Sequence, residues 1–291
     1  MGKTIKIKRN KRALNRSFGG NLTIFIFLLL LGVIFMLPLV YSISQAFKPL
    51  DELWTYPPKF FVRSPTLRNF KDLFGLLGSN WMPFSRYLFN TVFISVVGTV
   101  GHIIVASMCA YALSKHDFMG KKVIFNIIVF SLMFSSVVTQ IPNFLIMTKL
   151  KLINTYGALI IPSLGSSLGL YLMKQFMDSS IPDTLLEAAK IDGANEWKIF
   201  WRIVMPLVKP AWLTLVLFSF QGLWNMGATA LIQTESLKTL NYAMNQILAG
   251  GIARSGASAA ATLVMMIVPI TVFIVTQSNI VETMATSGMK E

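Results

Sequence analysis

Hydrophobic residues along this chain are gathered into six long stretches that contain no Asp, Glu, Lys or Arg. The shortest stretch has 22 residues and the longest has 31, and a helix needs about 20 predominantly apolar residues to cross a bilayer. The stretches lie between Arg16 and Lys48, Arg86 and Lys115, Lys122 and Lys149, Lys151 and Lys174, Lys209 and Glu235, and Arg254 and Glu282. The short alternating segments that are typical of membrane β-barrels do not occur in the sequence. The pattern therefore predicts an all-α polytopic membrane protein with six transmembrane helices.

Composition favours the same class and argues against a soluble enzyme. Hydrophobic residue types make up 54% of the 291 residues, charged types make up 13%, and the mean hydropathy is +0.62. A soluble domain usually carries about a quarter charged residues. A membrane-embedded enzyme would need polar catalytic groups in its spans or a catalytic loop. The sequence contains no Ser-His-Asp arrangement and no set of residues with metal-ligand spacing, so it predicts no catalytic site and no metal.

The net charge of +14 is compatible with nucleic acid or with an anionic lipid surface. Basic residues cluster beside the predicted spans, which favours the lipid bilayer and argues against nucleic acid. Seven of them precede the first span with no acidic residue among them: Lys3, Lys6, Lys8, Arg9, Lys11, Arg12 and Arg16. The positive-inside rule then places the N-terminus in the cytoplasm, and six spans return the C-terminus to the same side.

These patterns divide the chain into consecutive segments. They are a basic cytoplasmic tail at 1–20, a first transmembrane helix at 21–45, an extracytoplasmic loop at 46–85, a five-helix core at 86–282 that includes an inner loop at 174–210, and a cytoplasmic tail at 283–291. Inside the extracytoplasmic loop, residues 65–74 predict a short surface helix. Its apolar side is expected to consist of Leu67, Phe70 and Phe74.

The inner loop at 174–210 contains two helical patterns. The first runs from Asp183 to Asp192, with Ser180 as its expected N-cap, and it ends at Gly193, for which we expect a positive φ. Its expected apolar face consists of Leu185, Ala188 and Ala189.

The second helical pattern follows Asn195. It places Trp197, Trp201 and Val204 on one side, which is typical of a helix that lies in the membrane interface. A connection between spans needs only a few residues. The residues alone leave open whether this loop has a function of its own or is a helix pair that merely lies on the membrane.

The same loop resembles a known motif. Glu187-Ala188-Ala189 is followed after three residues by Gly193, and after nine more by Ile203-Val204-Met205-Pro206. This spacing resembles the EAA motif of binding-protein-dependent ABC importer permeases, which has the form E-A-A-x3-G-x9-I-x-L-P, with Met205 at the usual leucine. The resemblance extends from about Arg86 to the C-terminus. The resemblance to the carbohydrate uptake branch is carried by Asn90-Thr91, Ala110-Tyr111-Ala112 and Ser287-Gly288-Met289-Lys290. Within that branch the chain resembles the smaller permease subunit of maltose-type transporters.

The resemblance implies a type I ABC importer permease fold in a bacterial cytoplasmic membrane. It implies uptake of a carbohydrate, most simply an oligosaccharide, and three kinds of partner: a second, different permease subunit, two cytoplasmic ATPase subunits and an extracytoplasmic sugar-binding protein. The residues expected to couple to the ATPase are Glu187, Ala188, Ala189, Asp192, Gly193, Ile203 and Pro206. The residues expected in the loop that contacts the binding protein are Gly250, Gly251 and Arg254.

The charge-free stretches bear on how transport is driven. Proton-driven carriers keep ionisable residues inside the membrane, whereas His102 is the only titratable candidate here, and a lone histidine more often links two helices. The sequence also lacks a phosphate-binding loop, because Gly2-Lys3-Thr4 stands at the chain start with no loop before it. We therefore expect no cofactor in this chain and ATP hydrolysis by separate subunits. Two alternatives stay open: an ABC permease for a non-sugar solute and an ion-coupled secondary carrier.

The fifth stretch contains polar residues that could line a transport path. Gln221, Trp224 and Asn225 share one helical face, and an aromatic ring flanked by amides suits the hydroxyl groups and apolar faces of a sugar. Amides inside spans also commonly link helices to each other. In maltose-type transporters the other permease subunit mainly holds the bound sugar, which favours the linking role.

Overall fold

The computed structural model describes residues 18–78, 82–227 and 230–287, so that most of the basic tail and residues 288–291 lie outside the described part. Helices follow one another through the described residues, with no strand among them. The α-helices are α1 (Phe18–Phe47), α2 (Leu50–Leu53), α3 (Arg68–Gly78), α4 (Phe84–Lys115), α5 (Lys121–Ser131), α6 (Ser136–Lys149), α7 (Gly157–Leu164), α8 (Ser167–Ser180), α9 (Asp183–Ile191), α10 (Glu196–Ile199), α11 (Met205–Leu207), α12 (Lys209–Trp224), α13 (Leu240–Leu248) and α14 (Ser255–Ser287). A π-helical turn spans Phe200–Val204, and 3-10 turns span Glu235–Leu237 and Ile252–Arg254. The predicted all-α class is confirmed.

Three of the described helical segments are long and apolar enough to cross a membrane. They are Gly19–Phe47, Phe84–Lys115 and Ile252–Gln277. A fourth is obtained if the segments Glu196–Leu207 and Lys209–Trp224, which meet at an angle of 78°, are counted as one span. The number of six spans therefore stays a prediction.

The third and fourth charge-free stretches each form two helices rather than one. Leu132–Ser135 separates α5 from α6, and the Oγ of Ser135 caps α6 by accepting a hydrogen bond from the backbone N–H of Val137 at 3.3 Å. Gly165 and Ser166 separate α7 from α8. Hydropathy alone cannot reveal these breaks, because local capping residues end a helix without changing the apolar character of the stretch.

Helix α4 is the centre of the bundle and packs against α7, α8 and α12. Two glycines permit this close packing. A Cβ at Gly98 of α4 would lie 2.5 Å from the Cδ1 of Leu223 in α12, and a Cβ at Gly169 of α8 would lie 2.1 Å from the Nε2 of His102. Small residues commonly let membrane helices approach one another in this way.

The remaining surface of several helices is apolar and exposed, as expected where lipid replaces water as the solvent. Helix α1 packs against α14 along its C-terminal part. Elsewhere α1 exposes large side chains such as Phe25, which is 61% exposed. Helix α5 has no buried residue. An apolar surface of this extent marks a membrane or a partner interface in any protein.

The short helix predicted in the first long loop is present as α3, but its buried side agrees with the prediction only at Phe70, which is half-buried. Leu73 and Leu77 are fully buried against α13 and α14, whereas Leu67 and Phe74 are 62% and 49% exposed. The helix begins at Arg68 rather than earlier, so Leu67 lies outside it. The position at which α3 begins and its packing against α14 together determine which side of the helix is buried.

Candidate functional site: the loop between α8 and α12

Helix α9 forms within the loop predicted to carry the motif and begins at Asp183 as predicted, but its N-cap differs from the prediction. Helix α8 continues as far as Ser180, so Ser180 does not cap α9. The N-cap position is occupied by Pro182, which makes no side-chain capping bond. Its fixed φ suits a helix start, and the acidic Asp183 in the first turn interacts favourably with the helix dipole.

The two sides of α9 have different roles. Leu186 and Ala189 are buried at 7% and 8% exposure in a core cluster with residues of α4, α8 and the π-helical turn. Glu187 and Ala188 face outward, and Ile191, which is 86% exposed, continues the same face. The expected apolar docking face was therefore partly wrong, because Ala189 packs inward. Ile191 was not predicted to lie on this face, although it follows Glu187 by four residues, about one helical turn.

The carboxylate of Glu187 makes no hydrogen bond or ion pair with any residue that the structure describes. The helix that carries it is packed in the core on its opposite side, while the Glu187 side chain itself is exposed. A carboxylate in this setting is available to a basic group from another subunit.

The turn after α9 has the conformation predicted from Gly193. Its φ is +76°, and Asp192 occupies the C-cap. The N–H of Gly193 donates to the carbonyl of Lys190 and the N–H of Ala194 donates to the carbonyl of Ala189, both at 3.0 Å. These two bonds form a Schellman motif, which needs a left-handed residue at the position of Gly193.

The second helical pattern begins where it was predicted but does not stay a single α-helix. Asn195 caps α10 by accepting a hydrogen bond from the N–H of Lys198 at 2.8 Å. The π-helical turn that follows widens the helix by one residue per turn. Trp197 and Trp201 therefore remain at the surface, 61% and 37% exposed, while Val204 turns inward and is fully buried. The expectation that Val204 shares their face was wrong for this reason.

The two remaining residues of the motif lie near the end of this segment. Ile203 is half-buried against the core cluster, and Pro206 in α11 is exposed. The chain bends by 78° between α11 and α12.

Glu196 lies at the point where the loop meets α4. Its Oε2 accepts a hydrogen bond from the hydroxyl of Tyr111 at 2.8 Å, and its Oε1 lies 2.7 Å from the Nζ of Lys190 in α9. The Nε2 of His116 is 3.5 Å from Oε2. The hydrogen bonds from Lys190 and then Tyr111 hold the pKa of Glu196 below its ordinary value, so the carboxylate is ionised at neutral pH.

The end of α4 makes two further polar contacts with this region. Ser114 donates a hydrogen bond to Asp178 at 2.5 Å, and Lys174 pairs with the same carboxylate at 2.5 Å. Burial acts to raise the pKa of Asp178, but the hydrogen bonds from Lys174 and Ser114 outweigh it and lower the pKa. Lys115 donates to the carbonyl of Ile181 at 2.6 Å.

The segment expected to contact a binding protein lies at the opposite end of α4, near Phe84. Gly251 has a φ of +70°, and the whole stretch 250–254 is exposed. Arg254 lies over Gly250, because a Cβ at Gly250 would be 2.3 Å from the Cδ of Arg254. Arg254 also lines an open cavity of about 690 Å³ with Arg68 and Lys71 of α3.

A buried polar network at the same end was missed by sequence reasoning. Asn90 is fully buried, donates to the carbonyls of Ser236 and Lys238 at 2.9 Å and accepts from the hydroxyl of Tyr156 at 2.7 Å. It thereby fastens the segment before α13 to α4. The sequence singles out the Asn90-Thr91 pair only through the family resemblance. Nothing near Asn90 in the sequence identifies Tyr156, which is 66 residues away, as its partner.

Glu235 belongs to the same region. It accepts a hydrogen bond from the hydroxyl of Tyr87 at 2.7 Å and pairs with Lys238 at 2.7 Å. Burial acts to raise the pKa of Glu235, but the hydrogen bonds from Lys238 and Tyr87 and the charge of Lys238 outweigh it, so the pKa lies below its ordinary value.

The three residues of the possible transport path are separated by the structure. Gln221 is exposed on α12, and Asn225, the C-cap of this helix, is exposed as well. Trp224 is 1% exposed, its Nε1 donates to the carbonyl of Met265 at 3.2 Å, and its ring stacks on Phe220. Its ring is therefore not available to stack on a sugar in this structure.

His102 is 1% exposed, and its Nδ1 lies 3.2 Å from the carbonyl oxygen of Leu164 in α7. The interpretation of His102 as a link between helices is confirmed. Among the described residues, no group of three His, Cys, Asp or Glu side chains could hold a metal ion.

A bundle of apolar helices with a helical loop docked against its core is typical of a membrane-embedded protein. Residues 102–285 match the family described as binding-protein-dependent transport system inner membrane component. The chain belongs to this family of ABC transporter permeases, and it is a transport subunit rather than an enzyme.

Individual relatives point to the same family. The polygalacturonan/rhamnogalacturonan transport system permease protein YtcP of Bacillus subtilis is 34% identical over 75% of this chain and 73% of its own length. The arabinooligosaccharides transport system permease protein AraQ of Halalkalibacterium halodurans is 32% identical over 67% and 69%. A chain from the crystal structure of a bacterial ABC transporter involved in import of the acidic polysaccharide alginate is 25% identical, with a TM-score of 0.75 over 91% of this chain and 99% of that chain. The fold is therefore that of a type I ABC importer permease.

Proposed function

We propose that this chain is the permease subunit of an ATP-driven importer for an oligosaccharide delivered by an extracytoplasmic binding protein. The substrate class is supported by the relatives, whose names give polygalacturonan/rhamnogalacturonan and arabinooligosaccharides as their substrates. The nearest alternative is a non-sugar solute carried by the same kind of machine. An ion-coupled carrier is disfavoured, because the described spans hold no ionisable network that could carry a coupling charge.

The observation that carries the proposal is the unpartnered Glu187 on the outward face of α9. We propose that this face, formed by Glu187, Ala188 and Ile191, docks on a cytoplasmic ATPase subunit. The small Ala188 permits close approach, and Glu187 meets a basic residue of the ATPase. Asp192 and Gly193 shape the turn, and Ile203 and Pro206 lead towards α12.

ATP is used by the partner ATPase subunits, so the chain itself requires no cofactor. In this proposal the complete importer contains two such subunits, a second and different permease, and a sugar-binding protein. The binding protein approaches the opposite end of α4, where Gly250, Gly251 and Arg254 are exposed.

The same assignment fixes the orientation of the chain in the bacterial cytoplasmic membrane. The loop at 174–210 faces the cytoplasm, and both termini lie on that side. The seven basic residues before the first span support this orientation through the positive-inside rule.

We propose only a minor role in sugar contact for this subunit. Gln221 and Asn225 are exposed amides on a helix that is otherwise apolar, and exposed amides are costly against lipid. They therefore face either the second permease or the transport path. Trp224 supports α12 from inside.

The proposal is tested in proteoliposomes that contain both permeases and the ATPase, with the binding protein supplied outside. Galacturonan, arabino- and galacto-oligosaccharides are first screened for binding to the binding protein. We expect uptake of the bound sugar to require ATP and to be insensitive to ionophores. Uptake that continues without ATP and is abolished by an ionophore would identify an ion-coupled carrier. A binding protein that binds a non-sugar solute and no sugar would show that the proposed substrate class is wrong.

The docking assignment is tested by Glu187→Ala in the same complex. Breaking a partly buried ion pair from one side costs on the order of 3–5 kcal/mol, so the ATPase should detach or lose coupling while the two permeases still pair. Asp117→Asn is the matched control, since Asp117 is fully exposed and, among the residues that the structure describes, pairs only with Lys121 four residues away. Charge reversal at Glu187 together with reversal of its ATPase partner should restore part of the transport. Wild-type transport in Glu187→Ala would remove α9 from the coupling mechanism.

A further inference from the structure

We propose that Glu196 is a positioning residue that joins the ATPase-docking helix α9 rigidly to the end of α4. This inference rests on the proposed function, because it assumes that α9 receives the movement of the ATPase. It adds a second route into the bundle besides the connection through Pro206 to α12. Glu196 lies outside the residues of the motif.

Glu196 lies across the turn at Gly193 from Lys190 of α9. Lys190 precedes this turn and Glu196 follows it, and their side chains meet at 2.7 Å. The ion pair therefore closes the turn between α9 and α10. A glycine with positive φ is otherwise a natural point for two short helices to move relative to each other. With the pair in place, α9 and α10 move together.

Glu196 also contacts α4, through Tyr111. Tyr111 is only 7% exposed, and its hydroxyl donates to Glu196 at 2.8 Å. Its ring packs against Phe200 and His116, with ring centroids 5.6 and 5.1 Å apart. Since Tyr111 is embedded in the core cluster of α4, a displacement of α10 is transmitted directly to α4.

The contacts of Glu196 differ from those of an ordinary surface ion pair. Exposed pairs often contribute little, because solvent screens them. Here Glu196 is half exposed, but the Tyr111 hydroxyl that it accepts from is attached to a buried ring. Removal of the carboxylate leaves that donor without its acceptor, and a buried donor without a partner is costly. One carboxylate thus satisfies groups from α4 and α9 at once.

The test uses the assembled importer with three variants: Glu196→Gln, Tyr111→Phe and the double variant. The measured quantity is the amount of sugar imported per ATP hydrolysed, together with the amount of ATPase that copurifies. We expect Glu196→Gln to lower the transport ratio by about tenfold, the equivalent of one charge-assisted hydrogen bond, while the bound ATPase and the KM for ATP stay unchanged. The amide oxygen in Glu196→Gln can still accept a weaker, neutral hydrogen bond from Tyr111, so the double variant should lose less than the product of the two single effects.

Asp117→Asn is again the matched control, because Asp117 lies next to His116 but makes its one ion pair within the described part of the chain with Lys121. Tyr111→Phe removes the hydroxyl donor but keeps the buried ring. It therefore still reports the effect of losing the contact if Glu196→Gln fails to fold. If the ratio in Glu196→Gln equals that of the wild type, or if the two single effects multiply in the double variant, the positioning role is wrong. In either case Glu187→Ala still decides the docking assignment independently, since its readout is the copurified ATPase.

Discussion

The ammonium group of Lys115 and the carboxylate of Asp183 lie 2.8 Å apart, at the last turn of α4 and the first turn of α9. The Lys115 side chain is 7% exposed, and its Nζ also donates to the carbonyl of Ile181, the C-cap of α8. A cation at a helix C-terminus and an anion at a helix N-terminus both interact favourably with the helix dipoles. Lys115 therefore joins three helices at one point.

We expect Lys115→Met to lower the free energy of unfolding of the permease by about 1–3 kcal/mol, because a charged donor to two acceptors is lost. Tryptophan fluorescence during thermal unfolding of the purified complex would measure this. Lys121→Met is the control, since Lys121 pairs with a fully exposed Asp117 and exposed pairs contribute about 0–1 kcal/mol. Equal shifts in the two variants would mean that the buried position of Lys115 does not matter.

Gly193→Ala should cost about 1 kcal/mol of stability, because its φ of +76° strains any residue with a Cβ although nothing lies within 4 Å of that Cβ. Gly120→Ala is a closely matched control, since Gly120 has a φ of +92° and equally open surroundings outside the loop. We expect both variants to lose similar stability, but only Gly193→Ala and the more severe Gly193→Asp to retain less ATPase on copurification. If all three variants retained the same amount of ATPase, the turn at Gly193 would have no role in docking.

Much of this fold follows from local sequence. Charge-free stretches predict apolar helices because lipid requires every backbone group to be satisfied within the helix. The turn at Gly193 also follows from local sequence, because glycine readily adopts the positive φ that the end of the helix requires. The inward rotation of Val204 does not, since a π-helical turn alters the spacing that any periodic pattern assumes.

The contact between Glu196 and Tyr111 also lay beyond sequence reasoning. The two residues are 85 positions apart, and nothing in the sequence distinguishes Glu196 from the other carboxylates of the loop. Only the packing of α10 against α4 selects one of them. The inward position of Ala189 has the same origin, because α9 has small apolar residues on more than one face and tertiary packing chooses between them.

Glu235 should make stability depend on pH in the acid range. Its folded pKa lies below the ordinary value of 4.5, so its ionised form stabilises the fold above that value, and the contribution is lost as pH falls through the folded pKa. Melting temperatures measured from pH 6 down to pH 3 should therefore fall less steeply in Glu235→Gln than in the wild type. Tyr87→Phe, which removes one donor to Glu235, should lie between them. Parallel curves for all three proteins would show that Glu235 has no such linkage.

The orientation in the membrane can be tested with single cysteines in a Cys109→Ala background. Met119, which is fully exposed between α4 and α5, should not react with an impermeant thiol reagent in intact cells after Met119→Cys. Tyr56 is 91% exposed in the first long loop, and Tyr56→Cys should react. Permeabilised cells provide the control, since both sites should then be labelled. The opposite pattern in intact cells would invert the proposed topology.

Deletion of 250–254 should weaken the stimulation of ATP hydrolysis by the loaded binding protein. These residues are all exposed, whereas α13 before them is anchored by buried side chains such as Met244 and Ile247, so the permeases should still assemble and basal hydrolysis should persist. Replacing Ile252–Arg254 with three glycines keeps the loop length and removes the exposed Ile252 and Arg254 side chains. Loss of stimulation in both variants would assign the contact to the side chains, and loss in the deletion alone would assign it to the reach of the loop. Unchanged stimulation in the deletion would exclude this segment from contact with the binding protein.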